Sequence, residues 1–300
     1  MGIAAEPVEL PVRRRAVAAA LVAMRPQQWT KNLLLFGGII FAAKIGDPVR
    51  WAEAIGAFAM YCAASSAAYL VNDVRDREAD RAHPIKRFRP IARGELSLQA
   101  ALTLASCLAA GAIAVAIVLG LGSVGFLLAF AALQAAYTLN LKHVVLIDVL
   151  AISALFVVRA AAGAEAVNVP ISPWLLLCTG LLALFLALGK RRGELVLVQA
   201  QETPGRKVLD GYTLAVIDQF VSIVAAATIV AYALYTFTAR ESHTLMITIP
   251  YVVFGVFRYV LLLNRQTIGE EPDQVLVTDL PILANVAAWG LTCAVVLAVG

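Results

Sequence analysis

Residues 69–81 read Tyr69-Leu70-Val71-Asn72-Asp73-Val74-Arg75-Asp76-Arg77-Glu78-Ala79-Asp80-Arg81. They close an apolar run over residues 51–71 and open an acidic stretch. A helix that crosses the hydrocarbon core needs about 20 apolar residues, so this junction reads as a membrane helix ending in water. Asn72, Asp73, Asp76 and Asp80 fall at i, i+1, i+4 and i+8. If the helix continues through them, they share one face. Three carboxylates on one face repel unless a cation neutralises them. Oxygen-only ligands favour Mg2+, which commonly takes one or two carboxylates plus substrate phosphates. The competing reading is a solvated turn with internal ion pairs to Arg75, Arg77 and Arg81.

Working outward, runs like 51–71 recur. The candidates are roughly 33–45, 51–71, 98–119, 122–140, 145–165, 173–189, 217–238, 245–263 and 281–299. The first is short. It borrows the amphipathic stretch 17–31, or that stretch lies along the interface. The 300 residues are 61% hydrophobic and 15% charged, with a mean hydropathy of +0.82. A soluble domain is about 45–50% apolar and about 25% charged, so a soluble or disordered chain is excluded. Transmembrane barrel strands alternate apolar and polar residues, and these runs do not. The expected fold class is all-α: a polytopic membrane protein with a nine-helix transmembrane bundle. A tail over 1–20 precedes a single transmembrane domain over 21–300. The apolar run after Arg13, Arg14 and Arg15 is broken at 25–32, unlike a cleaved signal peptide.

Orientation follows from Lys and Arg. With nine helices, the N-terminus and the loops after helices 2, 4, 6 and 8 lie on one side. That side holds 19 of the 24 basic residues and the other side three, Lys44, Arg50 and Arg240. The split predicts a cytoplasmic N-terminus and, with the acidic clusters on the same side, a cytoplasmic active site. The net charge of +4 sits in a few loops, so it does not point to nucleic acid. Cys62, Cys107, Cys178 and Cys293 lie in apolar stretches and read as small hydrophobes.

Further segments carry chemistry. Residues 81–93 hold five Lys/Arg, with Lys86 and Arg89 between Pro84 and Pro90, which keep the stretch out of a regular helix. The segment suits a phosphate, the positive-inside rule or anionic lipid alike. Gln28, Lys31 and Asn32 stand at a membrane edge beside Trp29. Tyr137, Lys142 and His143 follow helix 4, with Asp148 and Arg159 further on. Charges inside membrane helices face a polar cavity or a partner. Asp148 and Arg159 are eleven residues apart, so they can share a face without touching. Lys190, Arg191, Arg192 and Glu194 read as the end of helix 6, where cations complement the helix dipole and would suit a polyphosphate. Asp279 caps the last helix or reaches the site.

Asn-Asp-x-x-Asp-x-x-x-Asp after the second of nine helices resembles the UbiA superfamily of intramembrane prenyltransferases. More narrowly, the chain is similar to the superfamily's phosphoribosyltransferase branch. The matching stretches are Arg25-Pro26-x-Gln28-Trp29-x-Lys31-Asn32, Tyr69 through Gly94, and Leu188-Gly189-Lys190-Arg191-Arg192-x-Glu194-Leu195. The resemblance spans residues 20–285. It departs from aromatic prenyltransferases in one respect: their second Asp-rich motif is replaced here by Lys190-Arg191-Arg192-Gly193-Glu194.

The resemblance implies Mg2+-dependent transfer of 5-phosphoribose from phosphoribosyl pyrophosphate to decaprenyl phosphate, in the inner (plasma) membrane. The biological use it implies is an arabinose donor for an actinobacterial cell wall. It leans towards a homo-oligomer, a trimer. Asp73 and Asp76 would be catalytic, and Asn72, Asp73, Asp76 and Asp80 would hold the metal. Gln28, Lys31, Asn32, Tyr69, Arg75, Lys86, Arg89, Tyr137, Lys142, Arg159, Lys190, Arg191, Arg192 and Glu194 would bind substrate. Two other readings stay open. One is a prenyltransferase of the same superfamily with a prenyl diphosphate donor and an aromatic or lipid acceptor. The other is a transporter or lipid-carrier flippase, which the one-sided polar clusters disfavour.

Overall fold

The computed structural model describes residues 15–41, 46–82, 86–201, 207–238, 243–265 and 278–299. Among them all regular structure is helical, with no strand. The helices are α1 (Ala16–Ala23), α2 (Gly37–Phe41), α3 (Pro48–Arg75), α4 (Arg77–Ala82), α5 (Leu98–Leu119), α6 (Leu121–Leu139), α7 (Ile147–Ala166), α8 (Pro173–Gln201), α9 (Leu214–Thr238), α10 (Ile249–Asn264) and α11 (Leu280–Val299). Eight of these, α3 and α5 to α11, are long and apolar enough to cross a membrane, α10 together with the turn before it.

Two spans differ from their expected form. The run expected over 33–45 is a 3-10 helix, Pro26–Phe36, followed by the short α2; residues 42–45 lie outside the described residues. A 3-10 helix has about three residues per turn, so Asn32 and Leu35 fall on one row, and both are fully buried. The run expected to end at 189 continues as α8 to Gln201. No proline intervenes before Pro204, and the lone Gly193 costs only about 1 kcal/mol, too little to stop the helix before it runs on through Glu194 to Val198. Lys190, Arg191 and Arg192 therefore stand within a helix rather than at its end.

The chain forms two compact units, residues 1–27 with 62–111, and residues 28–61 with 112–300. The core of the first is built from Ala19 and Ala23 of α1, Ala67 and Leu70 of α3, Ile91 and Leu96 of the following loop, and Ala101 and Ala105 of α5. The second unit has a large cluster where α8, α9 and α10 meet, including Phe185, Leu188, Ile217, Val221, Tyr259 and Leu262. A smaller cluster joins α2 to the end of α7 through Ile39, Ala164 and Val167. The approach there is close enough to require glycine. A Cβ on Gly163 would lie 2.2 Å from the Leu35 carbonyl oxygen, and one on Gly38 would lie 2.7 Å from the Ala164 Cα. Helix α7 is the most enclosed span: 61% of its apolar window is buried, against 17% for α5, α6 and α11. It is thus the helix best placed to carry buried polar groups.

Candidate active site

In the first unit, the acidic stretch carries helical hydrogen bonding from α3 across a one-residue turn at Asp76 into α4. The Asp76 N–H donates to the Asn72 carbonyl over 2.9 Å and the Asp80 N–H to the Asp76 carbonyl over 2.8 Å. Asn72, Asp76 and Asp80 therefore stand one turn apart. Asp73 and Asp80 are buried, at 2% and 3% exposure; Asn72 and Asp76 are half-buried.

Buried carboxylates need cations, and two arginines supply them. Arg25 Nη2 lies 2.6 Å from Asp73 Oδ1. Arg89 Nη1 bridges the pair, 3.1 Å from Asp73 Oδ1 and 2.7 Å from Asp80 Oδ2. The local arginines do other work. Arg81 pairs with Glu78 at 3.1 Å and donates to the Ala92 carbonyl, Arg77 lies 3.8 Å from Glu78, and Arg75 is exposed.

Arg25 is held in an unusual backbone conformation, φ 54°. The residue before a proline is pushed out of the right-handed α region, and Pro26 follows. Its N–H donates to the Val22 carbonyl over 3.1 Å, while Ser66 Oγ donates to the Met24 carbonyl over 2.9 Å. The guanidinium lies 4.7 Å from the centre of the Tyr69 ring, a cation–π distance.

The second unit carries another buried ion network. Arg191 Nε donates to Asp148 Oδ2 over 2.6 Å, and its Nη1 to Glu194 Oε2 over 2.5 Å. Its Nη2 reaches the Tyr137 hydroxyl at 3.4 Å. The Tyr212 hydroxyl donates to Asp148 Oδ1 over 2.8 Å and accepts the Leu146 N–H over 2.7 Å. Burial, helped by the bond to Asp148, pushes the Tyr212 phenol up to about 12 against the opposing Leu146 hydrogen bond. Tyr212 therefore stays protonated and donating at neutral pH. Arg192 pairs with Asp218 at 2.6 Å and caps the end of α10 through the Leu263 carbonyl and Asn264.

Arg159, deep in α7, donates from Nε to Asn32 Oδ1 over 2.8 Å and from Nη1 to the Leu155 carbonyl over 3.1 Å. Its guanidinium lies 4.6 Å from the Phe130 ring centre and 5.6 Å from that of Phe156. Asp148 and Arg159 thus find separate partners. Asp279 caps α11 through the Ile282 N–H at 2.9 Å and pairs with Arg258 at 2.9 Å. Lys142 stands half-buried in the 3-10 turn Leu141–His143. Gln28 and Lys31 lie on the 3-10 helix with Asn32, Lys86 on the turn before Arg89, and Lys190 one residue before Arg191.

No three His, Cys, Asp or Glu side chains converge on one point among the described residues. The donors of the first unit still fit Mg2+. They are oxygen-only, and Mg2+ takes one or two carboxylates and completes its shell with water and phosphate. The Asp76 carboxylate has no hydrogen bond or ion pair to the described residues, and Asp73 Oδ2 and Asp80 Oδ1 are likewise uncommitted. Sequence spacing found the acids but not Arg25, whose one signal is the Arg-Pro dipeptide, nor Tyr212 as the anchor of Asp148. Phe130 and Phe156 give no signal in an apolar run.

This all-helical bundle with an Asn-Asp-x-x-Asp helix end matches the UbiA prenyltransferase family over residues 33–271, and the chain belongs to that family. It is an integral membrane protein. Among its relatives is a decaprenyl-phosphate phosphoribosyltransferase of Mycolicibacterium smegmatis, 33% identical over 292 residues, covering 92% of this chain and 91% of the relative. A relative of the same name from Corynebacterium glutamicum is 33% identical over 285 residues, covering 89% and 83%. The fold is shared with a UbiA homologue from Archaeoglobus fulgidus bound to GPP and Mg2+, with a TM-score of 0.70 at 17% identity, over 94% of this chain and 100% of that one.

Proposed function

We propose that this chain transfers 5-phosphoribose from phosphoribosyl pyrophosphate to decaprenyl phosphate and releases pyrophosphate. One observation carries the reading: 33% identity along 91% of a relative named for that reaction. The acidic helix end supports it. Asn72, Asp73, Asp76 and Asp80 are the residues that hold Mg2+, which, when bound, acts as a Lewis acid on leaving-group oxygens. Lys86 and Arg89 add positive charge for phosphate beside the acids of the first unit, and Lys31, Lys142 and Lys190 are the substrate-binding lysines of the second. Preorganised cations act most where charge builds in the transition state, here on the departing diphosphate. In the second unit Arg159 and Asn32 receive the acceptor's phosphate, with Gln28 and Tyr137 as further substrate-binding polar groups; in the first, Tyr69 and Arg75 serve the acidic helix end. Arg191, Arg192 and Glu194 act through Asp148 and Asp218, fixing the frame in which Lys190 stands. The acceptor is already an anion, so no general base is needed. Counted on nine spans, the 19-to-3 distribution of basic residues supports a cytoplasmic site in the plasma membrane.

Donor choice tests the reading. Purified protein given labelled phosphoribosyl pyrophosphate, decaprenyl phosphate and Mg2+ forms labelled lipid. A prenyl diphosphate with an aromatic or glycerol acceptor forms none. Transfer from the prenyl diphosphate instead would move the chain to the prenyl-transferring part of its family.

A further inference from the structure

We infer that the second unit binds the headgroup of an amine-bearing phospholipid in a cavity between α8, α9 and α10, with Asp218 receiving the ammonium. The inference needs only the membrane fold and holds whichever group the chain transfers. The cavity has a volume of about 160 Å³. Its polar residues are Arg192, Asp218, Ser222 and Asn264, and its apolar wall includes Val221 and Leu263. Hydrogen bonds already made decide the sign of the ligand. Each nitrogen of the Arg192 guanidinium is committed: Nε to Asp218 Oδ1 at 2.6 Å, Nη1 to the Leu263 carbonyl at 2.6 Å and Nη2 to Asn264 Oδ1 at 3.0 Å. Ser222 Oγ donates to the Asp218 carbonyl over 2.8 Å, and Asn264 Nδ2 to the Val260 carbonyl over 3.0 Å. What remains is acceptor capacity. Asp218 Oδ2 has no hydrogen bond among the described residues, and the Ser222 hydroxyl keeps its lone pairs. The Asp218 side chain is 48% exposed against 12% for Arg192, so the carboxylate is the member of the pair open to a ligand. A carboxylate beside a hydroxyl suits a primary ammonium, which brings three N–H donors and no acceptor.

The place in the fold makes that ammonium a lipid's. Arg192 stands 19 residues beyond Pro173, the start of α8, which is about 28 Å along the helix axis. The hydrocarbon core is about 30 Å thick, so the cavity opens at the depth of the headgroups. Asp218 lies in the second turn of α9, and Leu263 and Asn264 end α10, so all three helices agree on that depth. Apolar surface adjoins the cavity on its membrane side. Ile223, next to Ser222, and Leu261 and Phe257, one turn apart on α10, are exposed, and acyl chains have these side chains to lie on. Arg265, exposed at the C-cap of α10 one residue beyond Asn264, is the cation for the lipid's phosphate. A headgroup with an amine and a phosphate thus meets Asp218 and Arg265. A headgroup without an amine meets a carboxylate with nothing to offer it.

The test is native mass spectrometry of the purified full-length protein in detergent. Phosphatidylethanolamine, phosphatidylcholine and phosphatidylglycerol with the same acyl chains are added singly, and each is scored by the fraction of protein that retains it. Phosphatidylethanolamine should be retained severalfold more than phosphatidylcholine, whose quaternary amine has no N–H, and severalfold more than phosphatidylglycerol, which has no amine. Ser222→Leu fills the cavity and leaves the Arg192–Asp218 pair in place. It should bring retention of phosphatidylethanolamine down to that of the other two lipids. Asp218→Asn should do the same, and melting curves on each preparation establish that the variants are folded. Equal retention of the three lipids, a preference for phosphatidylglycerol, or an ethanolamine preference that survives in folded Ser222→Leu protein would overturn the site.

Discussion

Arg191 and Asp148 meet over 2.6 Å with side-chain exposures of 1% and 0%, joining α8 to the first turn of α7. Removing one partner of such a pair strands the other charge and costs about 3–5 kcal/mol, whereas replacing both by apolar groups of similar size is often neutral. Asp148→Leu should therefore lower thermal stability in detergent sharply. Adding Arg191→Met to it should restore most of the loss. If the double variant is as unstable as the sum of the singles, the two residues do not act as a pair.

Asp73 and Asp76 should separate stability from activity. Asp73 is buried between two arginines, so Asp73→Asn weakens both ion pairs and should lower the melting temperature as well as activity. The Asp76 carboxylate has no partner among the described residues, and its backbone bonds to Asn72 and Asp80 survive the change, so Asp76→Asn should leave stability within about 0.5 kcal/mol. It should still cut transfer by about a hundredfold or more, the scale of losing a group that stabilises transition-state charge. Melting curves and initial rates on the same preparations check this.

Packing of the 3-10 segment depends on Gly163, where a Cβ would lie 2.2 Å from the Leu35 carbonyl oxygen. Overpacking of this kind costs about 1–3 kcal/mol. Gly163→Ala should be destabilising and should lower activity through displaced Asn32. Gly111 lies within α5 with nothing within 4 Å of its Cβ position. Gly111→Ala should be neutral or stabilising by up to about 1 kcal/mol.

Asp279 gives a pH signature. The hydrogen bond from Arg258 holds its carboxyl below the usual range, aided by the Ile282 N–H. A carboxyl depressed on folding contributes stability above its unfolded value, about 3.9, and that contribution fades as pH falls through the folded value. Melting temperature should thus fall as pH drops below about 4, and Asp279→Asn should flatten part of that slope. An unchanged slope in the variant would mean that the Arg258 pair adds nothing.

The spans were legible because each is a run of roughly the length a bilayer demands: 98–119 was expected and α5 is Leu98–Leu119. The acidic helix end was legible for a similar reason, since helical spacing is local. What could not be read is long-range. The partners of Asp73 lie 48 and 16 positions away, while spacing offered only the neighbours Arg75, Arg77 and Arg81. The 3-10 form of Pro26–Phe36 accompanies close packing of Leu35 on Gly163, which no local pattern encodes. The Lys190 to Arg192 cluster read as a helix end because charge suggested water, yet buried Asp148 and half-buried Asp218 receive two of its members.

The central claim is the identity of the transferred group. The most direct measurement is mass spectrometry of the lipid formed by the purified protein from decaprenyl phosphate, phosphoribosyl pyrophosphate and Mg2+, with pyrophosphate release followed in parallel. The account predicts one phosphoribosyl group added per decaprenyl phosphate, one pyrophosphate released for each, and neither product when EDTA is present. Lipid unchanged in mass, from folded protein that transfers a prenyl group from a prenyl diphosphate, would contradict it.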